Sequence, residues 1–457
     1  MSYSSISSII TALADDSMRK ARVVANGPHG FAYDNINISS SIYVEQAPNS
    51  MSKVQSGTFG VIYELLNARK EDMQIEPMVD RLKNAGLLEL SDLRASPASM
   101  NAYATQTLVN ICHILMKYFD GLNHLKDDPL LQHTVRRMFP PNHKTRYHPL
   151  RANTIEEASI EGNISVHNNF YIDQLGIDPD ILSKFAIPSI NDQLTNARIR
   201  GAQGIRKQDI LAWERREIFQ LAFGLFHLVM NLIWALLETH RGTLGQVGSL
   251  THLFAVLEKT RLGGEKPDYH TLLASLTQIV EGLILNAWQM ECGYSSLKDY
   301  TQSKQSAEDV LLLARNIMLK YSTPQLADHF KATDPTHPLE DLEVDDTMDM
   351  DNTSPDEHME DEDDIESEED DNDSSSSSSA ASGSAQDTVH ENILLLTRDL
   401  LYIIELVNAI CTGDFGRVED ILATLACLFR GAGSKNYSSE ILYFLFQIKE
   451  VWTPEFA

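Results

Sequence analysis

Residues 30–38, GFAYDNINI, alternate apolar and polar side chains and are rich in β-forming residue types. This pattern predicts a β-strand that carries Asp34 within it. Residues 185–195, FAIPSINDQLT, predict a second strand that runs into a turn at Asn191 and Asp192. Aspartates that stand where strands meet turns are either turn formers, whose side chains mimic the backbone of a turn, or ligands held on rigid strands.

The segments around these strands divide into an early mixed part and a late helical part. Residues 41–46, SIYVEQ, predict the hairpin partner of the first strand. Residues 76–139 and about 199–321 carry apolar side chains at helical spacing. These patterns predict an α/β fold that is mostly helical, with a small mixed sheet and a large helical block.

One apolar run, Ile218–Leu237, approaches the length of a membrane span. Gln220, His227 and Asn231 interrupt this run, and polar groups are costly inside lipid. We therefore expect a buried core helix here and no membrane partner. His227 and Asn231 are four residues apart, so they would share one face of that helix.

Composition excludes several classes of protein. The chain has 457 residues, of which 43% are hydrophobic, so it can bury a large core. Its four cysteines are scattered, which excludes a disulfide scaffold and a CxxC zinc module. The net charge of −28 is concentrated in residues 340–373, which hold 20 acidic and no basic residues. The remaining 45 acidic and 37 basic residues exclude a strongly basic nucleic-acid-binding protein as a description of the whole chain.

These features predict four regions along the chain. Residues 1–20 are predicted as an N-terminal tail, and residues 21–333 as a mixed α/β core with a helical insertion from about residue 205. Residues 334–388 are rich in acidic residues and serine, which predicts a disordered linker. Residues 389–457 resume an apolar helical pattern but make a marginal core alone, so we expect them to pack back on the core.

The strand-end acids carry the strongest chemical hypothesis, because no nucleotide-binding loop, zinc-protease motif or serine-hydrolase motif occurs in the sequence. Rigid strands can hold Asp34 and Asp192 close enough to share Mg²⁺ or Mn²⁺. Ions held in this way activate a nucleophile and stabilise the leaving oxygen in phosphoryl transfer. Four basic residues follow the second acid and could contact phosphates, although they also suit a solvated helix face: Arg198, Arg200, Arg206 and Lys207.

Several stretches resemble, in order, the motifs of one family. They are YDNIN with a following GT (residues 33–37 and 57–58), NDQLTNARIRG (191–201), FHLVMN (226–231) and the segment HRGTLG…GSL (240–250). The C-terminal part adds RDLLYIIELVNAI followed by GDFGRVEDIL (398–422) and FRGAGSKNY (429–437). Together they resemble the uncharacterised family called domain of unknown function 6589, which is abundant in mushroom-forming fungi and often lies in transposon-like surroundings.

The family pattern is similar to that of cut-and-paste transposases with a ribonuclease-H-like core. This resemblance implies a protein that binds Mg²⁺ or Mn²⁺, cleaves or transfers DNA strands and acts in the nucleus. It also implies a first acid on the first strand, a second acid on a later strand and a third acid after the helical insertion. The residues implied are the strand acids Asp34 and Asp192, the supporting residues Asn35, His227 and Asn231, and the candidates for the third acid Asp399, Glu405 and Asp414.

A catalytically inactive relative is the alternative. The family usually has Gly-Asp where this chain has Asn191 and Asp192, and often an Asp where Leu225 stands. The chain also ends at VWTPEFA, before motifs of longer members, which would suit a truncated or domesticated relic. Such a protein would act through residues 340–373, whose negative charge could bind basic proteins such as histones. The simpler interpretation of the same residues is a solvated linker without a binding role.

Overall fold

Strand β1, His29–Ser39, lies at the centre of a five-stranded mixed sheet in the computed structural model, which describes residues 3–39, 54–87, 94–323 and 388–457. The strand order is β3-β2-β1-β4-β5. The first three strands pair antiparallel, whereas β4 and β5 run parallel to β1. The other strands are β2 (Val54–Glu64), β3 (Tyr147–Pro149), β4 (Ile187–Asn191) and β5 (Phe219–Phe223).

Helices surround the sheet, so the predicted α/β, mostly helical fold class is confirmed. Before β5 lie α1 (Tyr3–Val24), α2 (Glu76–Lys83), α3 (Pro97–Tyr118), α4 (Ile160–Asn168), α5 (Pro179–Leu182) and α6 (Gln193–Ile205). After β5 lie α7 (Leu225–His240), α8 (Leu250–Val256), α9 (Tyr269–Glu291), α10 (Leu297–Gln302) and α11 (Ala307–Tyr321). The last helices are α12 (Thr388–Thr412), α13 (Phe415–Gly431) and α14 (Lys435–Phe446).

The alternation in GFAYDNINI becomes the two faces of β1. Phe31 is fully buried, whereas Asp34 is exposed. The ring centroid of Phe31 lies 5.3 Å from that of Tyr171 and 6.1 Å from that of Phe219. Burial of a large aromatic side chain contributes about 1.5–3 kcal/mol. This aromatic cluster therefore fixes the position of β1, and with it the position of Asp34.

The predicted N-terminal tail is corrected by the structure, because most of it lies in helix α1. Met18 and Ala21 are buried, and the Ser17 hydroxyl donates a hydrogen bond to the carbonyl oxygen of Pro149 on β3 at 2.9 Å. Apolar burial along one side of the helix holds α1 against the edge of the sheet. The predicted hairpin partner SIYVEQ lies outside the described residues, and the observed antiparallel partner of β1 is β2.

The prediction that the apolar run Ile218–Leu237 forms a single core helix is wrong. Its first part is strand β5, Gly224 follows, and α7 begins at Leu225. A buried parallel strand reads as a continuous apolar run, so periodicity cannot separate it from a helix. The helical block after the sheet strands accordingly begins at Leu225, with α7.

The residues after the undescribed segment 324–387 pack on the preceding helices and on the sheet. Helix α12 packs against α7 and α9, and α14 packs against β5 and α6. The acidic residues 340–373 lie outside the described part of the chain. Among the described helices, α9 passes a length-and-composition test for a membrane span, but half of its most apolar window is buried in the fold, which makes this weak evidence.

Candidate acid site at the end of strand β4

The two acids predicted from the strand pattern lie on neighbouring parallel strands. Phe31 on β1 is paired with Ser189 on β4. Counting three residues on from each reaches Asp34 and Asp192. Adjacent strands in a sheet are about 4.8 Å apart, so this register places the two acids at one level of the sheet.

Asp192 is the N-cap of helix α6. Its Oδ1 accepts a hydrogen bond from the backbone N–H of Thr195 at 2.6 Å, which satisfies one of the free N–H groups at the start of the helix. Asp34 uses its own Oδ1 in a local bond, which it accepts from the backbone N–H of Asn35 at 2.8 Å. Each aspartate thus commits one carboxylate oxygen to the backbone.

A third acid, Glu157, reaches the same place from the loop between β3 and α4. The loop is tied to β2, because Thr58 and Asn153 exchange two backbone hydrogen bonds of 3.0 Å. A Cβ on Gly57 would lie only 2.0 Å from the carbonyl oxygen of Asn153, so this close approach requires glycine. The carbonyl oxygen of Glu157 itself accepts a hydrogen bond from the Asn163 side chain at 2.7 Å.

Glu157 is buried, and none of the residues that the structure describes donates a cationic hydrogen bond to its carboxylate. It is 1% exposed; its Oε1 accepts a hydrogen bond from the Thr195 hydroxyl at 3.2 Å, and its Oε2 has no hydrogen-bond partner. Burial raises the pKa of Glu157 to about 7, and the charges of Asp192 and Asp34 add to this effect. Both aspartates therefore lie near enough to Glu157 to raise its pKa, and the Thr195 hydroxyl and Arg198 only partly offset these effects.

The ends of β4 and β5 complete the surroundings of Asp192. The Oδ1 atom of Asn191 is a second buried oxygen without a hydrogen-bond partner. His227, half-buried in the first turn of α7, lies near this point, because a Cβ on Gly224 would be 3.4 Å from its Cδ2 and 3.8 Å from the carbonyl oxygen of Asn191. Asn231 donates to the carbonyl oxygen of His227 at 2.8 Å, within α7.

An acid from the C-terminal part, Glu440 on α14, lies next to helix α6. Its Oε1 accepts a hydrogen bond from Asn196 Nδ2 at 2.8 Å, and Arg200 donates from Nη1 at 3.2 Å and from Nη2 to Oε2 at 2.6 Å. Burial raises the pKa of the Tyr437 hydroxyl, and the charges of Asp192 and Glu440 raise it further. The charges of Glu440 and Asp192 therefore both act on the Tyr437 hydroxyl, so the two acids lie near the same side chain.

The three acids predicted as candidates for the third position have partners elsewhere, in the helical part. Asp399 contacts His240 Nε2 at 2.8 Å and Arg398 Nε at 2.6 Å. His240 is 13 residues beyond His227 on α7, or about 20 Å along the helix axis, so Asp399 is far from the end of β4.

Glu405 and Asp414 also have hydrogen-bond donors, and burial still raises the pKa of Glu405 against the opposing effects of Arg417 and Asn110. Glu405 forms two hydrogen bonds with Arg417, of 2.8 and 2.7 Å, and accepts a third from Asn110 at 2.8 Å. Asp414 accepts hydrogen bonds from the backbone N–H groups of residues 136 and 137, at 2.9 and 2.7 Å. None of these hydrogen bonds joins either acid to Asp34 or Asp192.

The predicted phosphate contacts divide into two groups along α6. Arg198 donates to the carbonyl oxygen of Glu157 at 3.1 Å, and Arg200 is paired with Glu440, so both lie beside the acids. Arg206 and Lys207 follow the far end of α6, about 20 Å from Asp192 along its axis. Arg206 is paired with Asp209 at 2.6 Å, and the structure does not bring this second group to the acids.

Sequence reasoning missed Glu157 and Glu440. Glu157 stands in TIEEASIEGN, where acidic residues suit the start of a helix, and its burial follows from the Thr58–Asn153 pairing that no local pattern reveals. Glu440 stands among SSEILYFLF, whose apolar spacing gives a helix but not its partner. Among the described residues, no set of three or more His, Cys, Asp or Glu side chains is already spaced to hold a metal ion.

The fold and site define a mostly helical α/β protein in which the buried Glu157, with one unpaired carboxylate oxygen, lies near Asp34 and Asp192 beside two parallel strands. Residues 82–457 match the model of a family of unknown function, DUF6589, and the chain belongs to this family. Asp192, Glu157 and Glu440 lie within the matched residues, and Asp34 precedes them. No curated protein and no solved structure matches the chain.

Proposed function

We propose that the chain is a metal-dependent phosphoryl-transfer protein that acts on nucleic acid, with a ribonuclease-H-like core related to that of cut-and-paste transposases. The observation that supports this proposal is the buried carboxylate of Glu157, one oxygen of which has no hydrogen-bond partner among the described residues and whose pKa is raised by burial and by the charges of Asp192 and Asp34. A buried acid such as Glu157 is costly when neighbouring carboxylates repel it, and strongly perturbed groups of this kind cluster at functional sites.

The strand order supports the proposal by analogy. Three antiparallel strands followed by two strands parallel to the first, in the order β3-β2-β1-β4-β5, resemble the sheet of ribonuclease-H-like enzymes. In an open sheet, sites form beyond the carboxyl ends of parallel strands. Asp192 stands at that end of β4, and Asp34 lies at the same level on β1.

The donor set suits a hard divalent cation such as Mg²⁺ or Mn²⁺, which prefers oxygen ligands. The second oxygens of Asp34 and Asp192, together with Glu157 Oε2, would be its ligands, and these side chains would have to move, because the described residues hold no such group at metal-binding spacing. When bound, the ion would supply activation of a water or hydroxyl nucleophile and stabilisation of the leaving oxygen.

The remaining side chains would position the substrate. Arg198 and Arg200 lie on the helix that begins at Asp192 and would contact backbone phosphates. Asn191 Oδ1, buried and without a partner, would orient a water molecule or a ligand at the end of β4. DNA is the substrate that the transposase-like core favours, with the nucleus as the place of action.

The test is cleavage of labelled DNA oligonucleotides by the purified full chain in Mg²⁺, Mn²⁺ or chelator. Cleavage that requires the cation and is abolished in Asp34→Asn, Asp192→Asn and Glu157→Gln, but not in Glu156→Gln, would support the proposal. Glu156 is the matched control, because it is the exposed neighbour of Glu157. Absence of cleavage and of cation binding in the wild type would instead favour the catalytically inactive alternative.

A further inference from the structure

Arg200 and Glu440 form an ion pair on the helix that begins at Asp192, and the two partners differ in their access to solvent. The Glu440 side chain is 1% exposed, whereas that of Arg200 is 26% exposed. The guanidinium of Arg200 also stacks on the ring of Tyr443, 4.7 Å from its centroid. A ligand arriving from solvent would therefore reach Arg200 while Glu440 remains covered.

The pair is connected to Asp192 through one helix. Asn196 lies one turn after Asp192 on α6, and Arg200 lies one turn further. The Asn196 side chain accepts a hydrogen bond from Asn191 Nδ2 at 3.0 Å and donates one to Glu440 at 2.8 Å. Glu440 is thus held beside the part of α6 that lies one to two turns after Asp192. Its partner Asn196 is in turn hydrogen-bonded to Asn191 at the end of β4.

A nucleic-acid phosphate is a competitor for Arg200. Arginine binds phosphate and carboxylate in the same two-pronged geometry, and here both Nη atoms are committed to Glu440. A phosphate that takes over these donors would leave Glu440 as a buried acid whose remaining hydrogen bond comes from Asn196. Such an uncompensated carboxylate would gain from approaching a cation.

We propose that Arg200 holds Glu440 in reserve, and that a backbone phosphate of the bound nucleic acid releases this carboxylate to join the cation site beside Asp192. The inference rests on the proposed function and adds regulation to it: the site would bind its cation fully only when substrate is present. Asp34, Asp192 and Glu157 would provide basal cation binding, and Glu440 would provide the substrate-dependent increment.

The test measures Mn²⁺ affinity of the full chain by isothermal titration calorimetry, with and without a single-stranded DNA oligonucleotide. In the wild type we expect the oligonucleotide to tighten Mn²⁺ binding about tenfold, within the usual range of coupling between two sites. By reciprocity, Mn²⁺ should tighten oligonucleotide binding, measured by fluorescence anisotropy, by the same factor. A purely structural ion pair would produce neither effect.

The decisive variant is Glu440→Gln, which leaves the partly exposed Arg200 free to reach solvent. It should keep basal Mn²⁺ binding and bind the oligonucleotide at least as tightly as wild type, because no carboxylate competes for Arg200, but it should lose the coupling between the two. Arg200→Lys, which keeps the charge but not the two-pronged donor, should reduce the coupling, whereas Arg206→Gln at the far end of α6 should leave it unchanged. Circular dichroism and thermal melting establish that each variant is folded.

The outcomes separate the inference from the proposed function. If wild type binds Mn²⁺, Asp192→Asn abolishes this binding, and Glu440→Gln still shows full coupling, the role of Glu440 is wrong and the acid site stands. An unchanged Mn²⁺ affinity in the presence of bound oligonucleotide leads to the same conclusion. If wild type binds no Mn²⁺ under any condition, the acid site and the inference fail together.

Discussion

Buried acids in the helical part of the molecule differ from those beside the sheet in how their charge is compensated. Glu405 forms a doubly hydrogen-bonded pair with Arg417, Asp399 is paired with His240 and Arg398, and Asp414 accepts two backbone N–H groups. Glu157 accepts one hydroxyl and has a buried oxygen without a partner. Hydrogen bonds and ion pairs within the protein account for the burial of Asp399, Glu405 and Asp414, but they do not account for the burial of Glu157.

This difference gives a criterion for identifying candidate ligand-binding residues among the buried acids of a chain whose ligand is not known. A compensated acid is satisfied by the protein, so a metal ion would have to displace a cation or a backbone donor to bind it. An uncompensated acid lowers stability, and it is retained most readily where a ligand completes it. The predictions that follow exploit this contrast, because substitutions should have opposite effects in the two regions.

The largest expected effect is in the helical part. Glu405→Gln should lower the free energy of unfolding by about 3–5 kcal/mol, because it leaves Arg417 charged, buried and without its carboxylate partner. Urea denaturation measures this loss. Glu419→Gln is the matched control, since Glu419 pairs with Arg137 at an exposed position and should cost less than about 1 kcal/mol.

The opposite effect is expected at Glu157, and it depends on pH. The folded-state pKa of Glu157 is raised from its usual 4.5 to about 7, so the folded protein holds this proton more tightly than the unfolded chain. The stability linked to this proton is present below about pH 4.5 and is lost as pH rises to about 7. Burial is the largest cause of this raised pKa; the charges of Asp192 and Asp34 add to it, and the Thr195 hydroxyl and Arg198 oppose it.

Between pH 4 and pH 8, the free energy of unfolding of Glu157→Gln should therefore rise by about 3 kcal/mol relative to that of wild type. Urea denaturation of both proteins from pH 4 to pH 8 tests this, with Glu156→Gln as the control. Equal pH dependence in wild type and Glu157→Gln would show that Glu157 is not held with a raised pKa.

A smaller effect separates the two roles of Asp192. Asp192→Ala and Asp192→Asn both remove the charge, but only asparagine can still accept the N-cap hydrogen bond from Thr195. The Asn variant should be more stable than the Ala variant by about 1 kcal/mol in denaturant unfolding. Equal stability of the two variants would show that Asp192 does not stabilise helix α6 as its N-cap.

The smallest effect is expected at Asp34, which is exposed. Asp34→Asn should change the free energy of unfolding by no more than about 0.5 kcal/mol, as surface substitutions usually do. A loss well above 1 kcal/mol in urea unfolding would mean that Asp34 has a structural role rather than a role in binding.

Sequence patterns located Asp34 and Asp192 because the strands that carry or precede them have local sequence patterns. The alternation in GFAYDNINI and the strand–turn pattern at Asn191 and Asp192 depend on neighbours in the chain, and the structure has β1 and β4 there. Strand β5 was hidden inside an apolar run, because buried parallel strands lack alternation.

The partners of the acids could not be predicted in the same way. The burial of Glu157 depends on Gly57 and Thr58, about 100 residues earlier, and the pairing of Glu440 depends on Arg200, 240 residues earlier. Asp399 and Glu405 have the residue type expected of a third acid, and only their long-range partners show them to be compensated. Compensation of charge is a tertiary property, so residue type and order alone do not reveal it.

The measurement that tests the central claim most directly is the anomalous scattering of Mn²⁺ in crystals of the full chain soaked with the ion. The account predicts a peak bounded by carboxylate oxygens of Asp34, Asp192 and Glu157, which disappears in crystals of Asp192→Asn. No peak at the end of β4, with Mn²⁺ bound elsewhere or not at all, would contradict the account and leave these three acids without the role proposed for them.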